Sequence, residues 1–366
     1  MKIKKRYLWI VATVATLCLA VIWLVNLNSR QISPPTTTKS DKIYVATEDS
    51  GTVDVISTST RSILKSIALT QEGSPSMYMS HNVQVAPDGK TVWATANAMS
   101  EGNGSHDDTL PPDQVIVIDP ARDEIVRRID IGKDLHLAHV VLTPDSRYAL
   151  VVAQESGEVY KIDTSSYQIT QTTKTTAGAE PHGLRLSPDG NTAYIAMLTG
   201  KSIAKLDIQA FTFDYIPLNG KAVQTAVTPD GRYVAASVYD SRSVAVYDTA
   251  NQKLQYAQLP DEAKGPLQLY PTPDSAYVYV ADQGNYFNQP DGNKLYKIDL
   301  NQQKVVQTIE AGTAPHGVVV SPDGKFTYVT NLVSNDVSVI DNTAGREVAR
   351  IPTGKKPNGI SYWVHN

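Results

Sequence analysis

Five of the seven histidines in this chain gather at one place in a repeating pattern. His81, His182 and His316 each stand six residues before the proline of a recurring turn, and Ala138, Val223 and Leu267 hold that place in three other repeats. Asn358, in Pro357-Asn358-Gly359, holds it in a seventh. His139 and His136 lie one residue after and two before Ala138. Imidazoles that converge in this way can ligate copper, zinc or iron. Met77 and Met79 precede His81, while Met99 and Met197 end strands that return to the same rim. Thioethers select soft metals, so the expected cofactor is a transition metal ion, copper rather than zinc. His81, His182 and His316 are the expected ligands, with His139 or His136 as a fourth and Met77, Met79, Met99 and Met197 as accessory soft donors. A plainer role stays open: a histidine here can simply hydrogen-bond the neighbouring repeat, and a methionine at a strand end can simply pack.

The elements that must position these side chains are short strands. Ser321-Pro322-Asp323-Gly324 is turn chemistry between two strand-forming runs, and it returns at Ala86–Gly89, Thr143–Ser146, Ser187–Gly190, Thr228–Gly231 and Thr272–Ser275. The turns recur every 41 to 57 residues, each with four strand-like runs, which is the spacing of propeller blades. Residues 43–69 supply three strands without a first one, and Asn358–Trp363 is a first strand without its blade. Six whole blades and one shared between the two ends predict an all-β, seven-bladed propeller over residues 42–366. The turn aspartates Asp88, Asp145, Asp189, Asp230, Asp274 and Asp323 are expected to be structural, through hydrogen bonds within the turn.

The run Tyr328-Val329-Thr330-Asn331 after a Ser-Pro-Asp-Gly turn resembles the YVTN-repeat β-propeller family over about residues 42–364. That family includes surface-layer-like and periplasmic proteins, and similar propellers carry copper or haem in denitrification enzymes, nitrous-oxide reductase and cytochrome d1 among them. The resemblance implies the fold and an extracytoplasmic setting. Streptogramin lyases are also seven-bladed, with Pro-His-Gly-like turns and a glutamate nearby. The strands after His182 and His316 carry Met197 and Asn331 instead of a glutamate.

The start of the chain is basic, Met1–Arg6, and residues 7–27 carry no charge. The expectation is an uncleaved signal-anchor helix over residues 1–27, cytoplasmic at its basic end, with a cleaved signal peptide as the rival reading. Residues 28–41, with Pro34-Pro35-Thr36-Thr37-Thr38, read as a stiff polar linker to an extracytoplasmic propeller. Cys18 is the only cysteine. A disulfide, a thiolate nucleophile, a cysteine zinc site and a CxxCH haem attachment are therefore excluded, and no nucleotide-binding signature stands in a suitable context. The formal charge is −4, and −8 once Lys2, Lys4, Lys5 and Arg6 are set aside, which argues against nucleic acid as partner. Two long loops, 97–113 and 282–293, join second to third strands and so share the face of the histidines; a protein or small-molecule partner is expected there. The functions weighed are a membrane-anchored metal-binding propeller for delivery, sensing or redox work, a metal-free cell-surface scaffold for protein or polysaccharide, and a metal-dependent oxidoreductase or lyase.

Overall fold

The computed structural model describes residues 40–73, 76–99 and 110–365. Within them the strands form seven antiparallel sheets; five are four-stranded meanders read in chain order, and a sixth is a meander whose first strand is split in two. The seventh blade pairs Pro357–Trp363 with Lys42–Thr47, Thr52–Ser57 and Ser62–Ala68, so the two ends of the described chain share one sheet. Each innermost strand touches the innermost strands on either side, from Val83–Val85 round to Pro357–Trp363 and back. The inner sheet edges are thereby covered in a closed ring, and the outermost strands remain as short edges.

The middle strands are near-continuous in apolar and small residues because blades stack face to face. Tyr148–Ala153 and Phe326–Asn331 are buried along almost their whole length, and so are Val115–Ile118. The outermost strands, such as Ser62–Ala68 and Gln168–Lys174, are mostly exposed and correspondingly polar. Trp93, Tyr44, Tyr279 and Tyr296 fill the largest fully buried positions between blades.

The turns are held as their composition demands. Ser321 Oγ donates to Asp323 and accepts from the Phe326 amide, while Asp323 accepts from the Lys325 amide and Gly324 sits at φ 72°. The same bonds recur at Thr143, Ser187, Thr228 and Thr272. Where glycine is replaced, Ser146 and Ser275 take the left-handed conformation, and their hydroxyls accept the Asp88 and Asp230 amides of other blades.

The apolar run at residues 7–27 and the linker lie outside the described residues, apart from Ser40 and Asp41 in the linker. Among the described residues no helix is long and apolar enough to cross a membrane.

Neighbouring blades are also tied by side chains. Thr330 Oγ1 accepts the Gly317 amide at 2.7 Å and donates to the Asn358 carbonyl at 2.8 Å. Thr330→Val removes both bonds at constant shape and is expected to cost about 1 kcal/mol. Urea unfolding checks this; an unchanged midpoint would show that the bonds carry no net stability.

Candidate functional site

Every blade breaks its ladder at the place the histidines occupy. The register between first and second strands shifts between Pro181 and Leu184, Ala222 and Thr225, Pro266 and Leu269, and Pro315 and Val318. In blade one the break splits the strand into Met77–Met79 and Val83–Val85, with His81 in the gap. A bulge re-aims a side chain, and here it turns successive rim residues towards the channel. The glycine of Pro-His-Gly has a packing reason. A Cβ on Gly183 would lie 2.5 Å from Gln224 Cα, and one on Gly317 would lie 2.3 Å from the Asn358 carbonyl oxygen. Absence of a side chain lets the next blade close in beside each histidine.

All five rim histidines meet around His81. Its ring centre is 5.4 Å from that of His182, 5.6 Å from His136, and 6.3 Å from both His139 and His316. His139 and His182 are 5.5 Å apart. His139 and His316 are fully buried, and His81 and His182 nearly so. Among the described residues no group of three or more His, Cys, Asp or Glu is arranged so that it could hold a metal ion as it stands.

Neighbouring groups decide which nitrogen each ring presents. His182 Nδ1 lies 2.9 Å from the Val223 carbonyl oxygen, which can only accept, so Nδ1 carries the proton and Nε2 a lone pair. This is the blade-to-blade hydrogen bond that the plainer reading foresaw, and it leaves the other nitrogen free. His81 Nδ1 faces both Glu48 Oε1 at 3.5 Å, an acceptor, and Asn358 Nδ2 at 3.2 Å, a donor, and its Nε2 is buried without a partner. Both nitrogens of His139 are buried without partners. His316 is the reverse case. Gln283 accepts the Tyr286 amide through its side-chain oxygen, so its amide nitrogen donates to His316 Nδ1 at 2.7 Å. His316 Nε2 therefore bears the proton, and it too is buried and unpartnered.

His136, His139, His182 and His316 are neutral and the Glu48 carboxylate is charged. Burial, reinforced by the His81 ring, pulls His136 down to about 4. Burial, again with His81, pulls His182 down to about 3. His139 and His316 lie well below the usual imidazole range, first through burial and then through other cationic groups, with Arg185 among those acting on His139. Glu48 goes the other way: burial raises it, but hydrogen bonds from His81 and Tyr286 outweigh burial and hold it at about 2.

Glu48 is the residue that reading the sequence missed. It immediately follows Lys42–Thr47, the second strand of the shared blade, where Gln283 follows Tyr277–Asp282 in blade five. The glutamate absent from the strands after His182 and His316 thus arrives beside His81 from a different blade, and aligning all seven blades would have exposed it. Tyr286 completes the group. The loop 282–293, singled out for its length, forms a short helix at Asn285–Phe287. Phe287 stacks on Tyr239 at 3.5 Å, and Tyr286 packs edge-on against His316 at 5.4 Å. The Tyr286 hydroxyl donates to Glu48 Oε2 at 2.8 Å and accepts from Asn358 Nδ2 at 3.2 Å. Asp113 accepts from the Leu135 and His136 amides and so fixes the approach to blade two.

The methionines do not gather with the imidazoles. Met197 is fully buried in the apolar cluster with Val152, Leu184 and Ile195. Met77 and Met99 are cross-strand partners and largely exposed, leaving half-buried Met79 beside the cluster in sequence. The soft-donor argument for copper over zinc therefore loses its footing, for the reason left open from the start: strand-end methionines pack. His365 lies against Trp363, away from the rim, while His106 and most of the loop 97–113 fall outside the described residues.

Similarity to known proteins agrees with this architecture. Hydrazine synthase subunit beta of Kuenenia stuttgartiensis is 25% identical over 299 residues, covering 79% of this chain and 58% of that protein. The methylamine dehydrogenase heavy chain of Methylophilus methylotrophus is 29% identical over 41% of this chain and 38% of its own length. This chain thus spans less than two thirds of either relative. The solved structure of Kuenenia stuttgartiensis hydrazine synthase superposes with a TM-score of 0.64 over 80% of this chain and 91% of that chain, at 19% identity, a likeness of fold. A family model described as "Lactonase, 7-bladed beta-propeller" matches residues 143–356, more than half of the chain. Seven closed blades and that match together place this chain in the seven-bladed lactonase-type β-propeller family.

Proposed function

We propose that the rim cluster is a transition-metal site, with His81, His139 and His182 as ligands and with His316 and Tyr286 facing what binds beside the metal. The observation that carries this reading is the set of buried ring nitrogens without partners on His81, His139 and His316. Leaving such groups unpaired in the interior is costly, so a ligand that satisfies them is favoured. The donor set fits a metal. His81 and His182 have Nδ1 engaged by a carboxylate and a carbonyl, the arrangement that orients a ligating imidazole and exposes Nε2. Three rings around one ion, with bonds of about 2.0–2.1 Å, stand with their centres about 5–6 Å apart. Two of the spacings here, 5.4 and 5.5 Å, fall in that range, and the third, 6.3 Å between His81 and His139, must close for the three rings to share one ion. Three imidazoles plus an ionised carboxylate suit zinc, copper(II) or iron, and three protein ligands leave a position open for chemistry. Bound there, the metal would supply Lewis-acid or redox chemistry, while the protonated His316 Nε2 would donate a hydrogen bond to a neighbouring oxygen.

The resemblance stated above supports an extracytoplasmic location, and two relatives are by name a subunit and a heavy chain of enzymes. The loop carrying Tyr286 offers a surface for the substrate or partner of this site.

Metal analysis of the full chain, purified without a histidine tag and exposed to zinc and copper(II), tests the reading. About one ion per wild-type chain is expected. His81→Ala/His182→Ala should lose it while still folded, and His316→Ala should keep it. Metal-free wild type, or retention by the double variant, would overturn the proposal.

A further inference from the structure

The opposite mouth of the channel holds a separate cavity of about 510 Å³, among the turns that end the innermost strands. Pro87, Pro144, Pro188, Pro229, Pro273 and Pro322, one from each of six blades, form its rim. Its walls include Gln84, Val141, Tyr270 and Tyr362, and Arg185 is the only charged residue lining it. Arg185 follows His182 by three residues on the strand Pro181–Leu186, which puts it about 10 Å further along the channel.

Arg185 is partly exposed and opens into the cavity. Within the protein its one hydrogen bond runs from Nη1 to the adjacent Leu184 carbonyl at 2.8 Å. It forms no ion pair among the described residues, so its guanidinium fork is open to a ligand in the cavity. The Tyr270 hydroxyl in the same wall also has no hydrogen-bond partner among the described residues. Partial burial holds the guanidinium below its ordinary value. A neutral, proline- and tyrosine-walled cavity around one unpaired guanidinium is complementary to a single negative charge on an apolar body.

We propose that this second mouth binds a small organic monocarboxylate, its carboxylate taken by Arg185 and its apolar or aromatic body by the proline and tyrosine walls. A doubly charged anion would leave charge uncompensated, and a neutral molecule would leave Arg185 unpaired. The site is independent of the metal reading, since none of its lining residues belongs to the histidine cluster.

Titration calorimetry of the full chain, stripped with chelator, tests the assignment with benzoate and hexanoate as probes and benzamide as the uncharged isostere of benzoate. Saturable one-to-one binding of a carboxylate is expected, with at least a tenfold loss of affinity in Arg185→Gln and for benzamide. Binding should persist in His81→Ala/His182→Ala, which separates this mouth from the other. Should neither carboxylate bind up to ~10 mM, or should Arg185→Gln bind them as tightly as wild type in a folded state, the proposal fails.

Discussion

Between pH 6.5 and pH 5 the metal-free propeller is expected to lose about 3 kcal/mol of stability from His136 and His182 alone. Both are neutral in the folded chain, at about 4 and about 3, against the ordinary imidazole value of 6.5. Below that value the unfolded chain takes up a proton at each site while the folded chain does not. The unfolded state therefore binds more protons, and stability falls as pH falls, by about 1.4 kcal/mol per pH unit for each histidine. His139 and His316 are displaced in the same direction and steepen the loss. Glu48 adds a later phase: its folded value of about 2 gives stability that is complete above its ordinary range and lost only as pH drops from about 4.5 towards 2. The two windows separate the imidazoles from the carboxylates. Urea unfolding at pH 7, 6 and 5, with chelator present, reads the first window. His136→Asn/His182→Asn should flatten about half of the slope, the rest coming from His139 and His316, and a wild-type stability constant from pH 7 to pH 5 would show that the cluster is already protonated when folded.

The fold was legible because its signals are local and repeated. A turn such as Ser321–Gly324 fixes its own hairpin through Ser321 and Asp323, and six copies of it set the blade count before any long-range contact is known. The convergence of the histidines was legible for the same reason: equal places in equal blades meet on a closed ring. What the residues around each imidazole do was not legible. Whether His182 and His316 expose opposite tautomers depends on the Val223 carbonyl in the next blade and on Gln283 in the preceding one. Glu48 reaches His81 because the last strand of the chain and the first lie in one sheet, a juxtaposition that sequence separation hides. The methionines misled because strand-end position does not fix direction, and alternate residues of one strand face opposite blades. Met197 faces the apolar layer between blades two and three.

Glu48→Gln is expected to weaken metal binding ten- to a hundredfold while leaving the propeller folded. The carboxylate has two jobs at once. Its Oε1 faces His81 Nδ1 at 3.5 Å and sets the charge beside that ring, and its Oε2 receives the Tyr286 hydroxyl from the loop 282–293. Glutamine keeps the shape and one acceptor oxygen but removes the negative charge, so His81 becomes a poorer ligand for a cation. Tyr286→Phe is the control that separates these effects. It removes the loop contact but spares the charge, and so should cost metal affinity no more than severalfold. Competition titration with a chromophoric chelator measures both variants. Glu48→Gln with wild-type affinity would mean that the carboxylate serves the loop instead of the imidazole. Equal losses in the two variants would mean that Tyr286, held between Glu48 and Asn358, sets the geometry that the charge was thought to set.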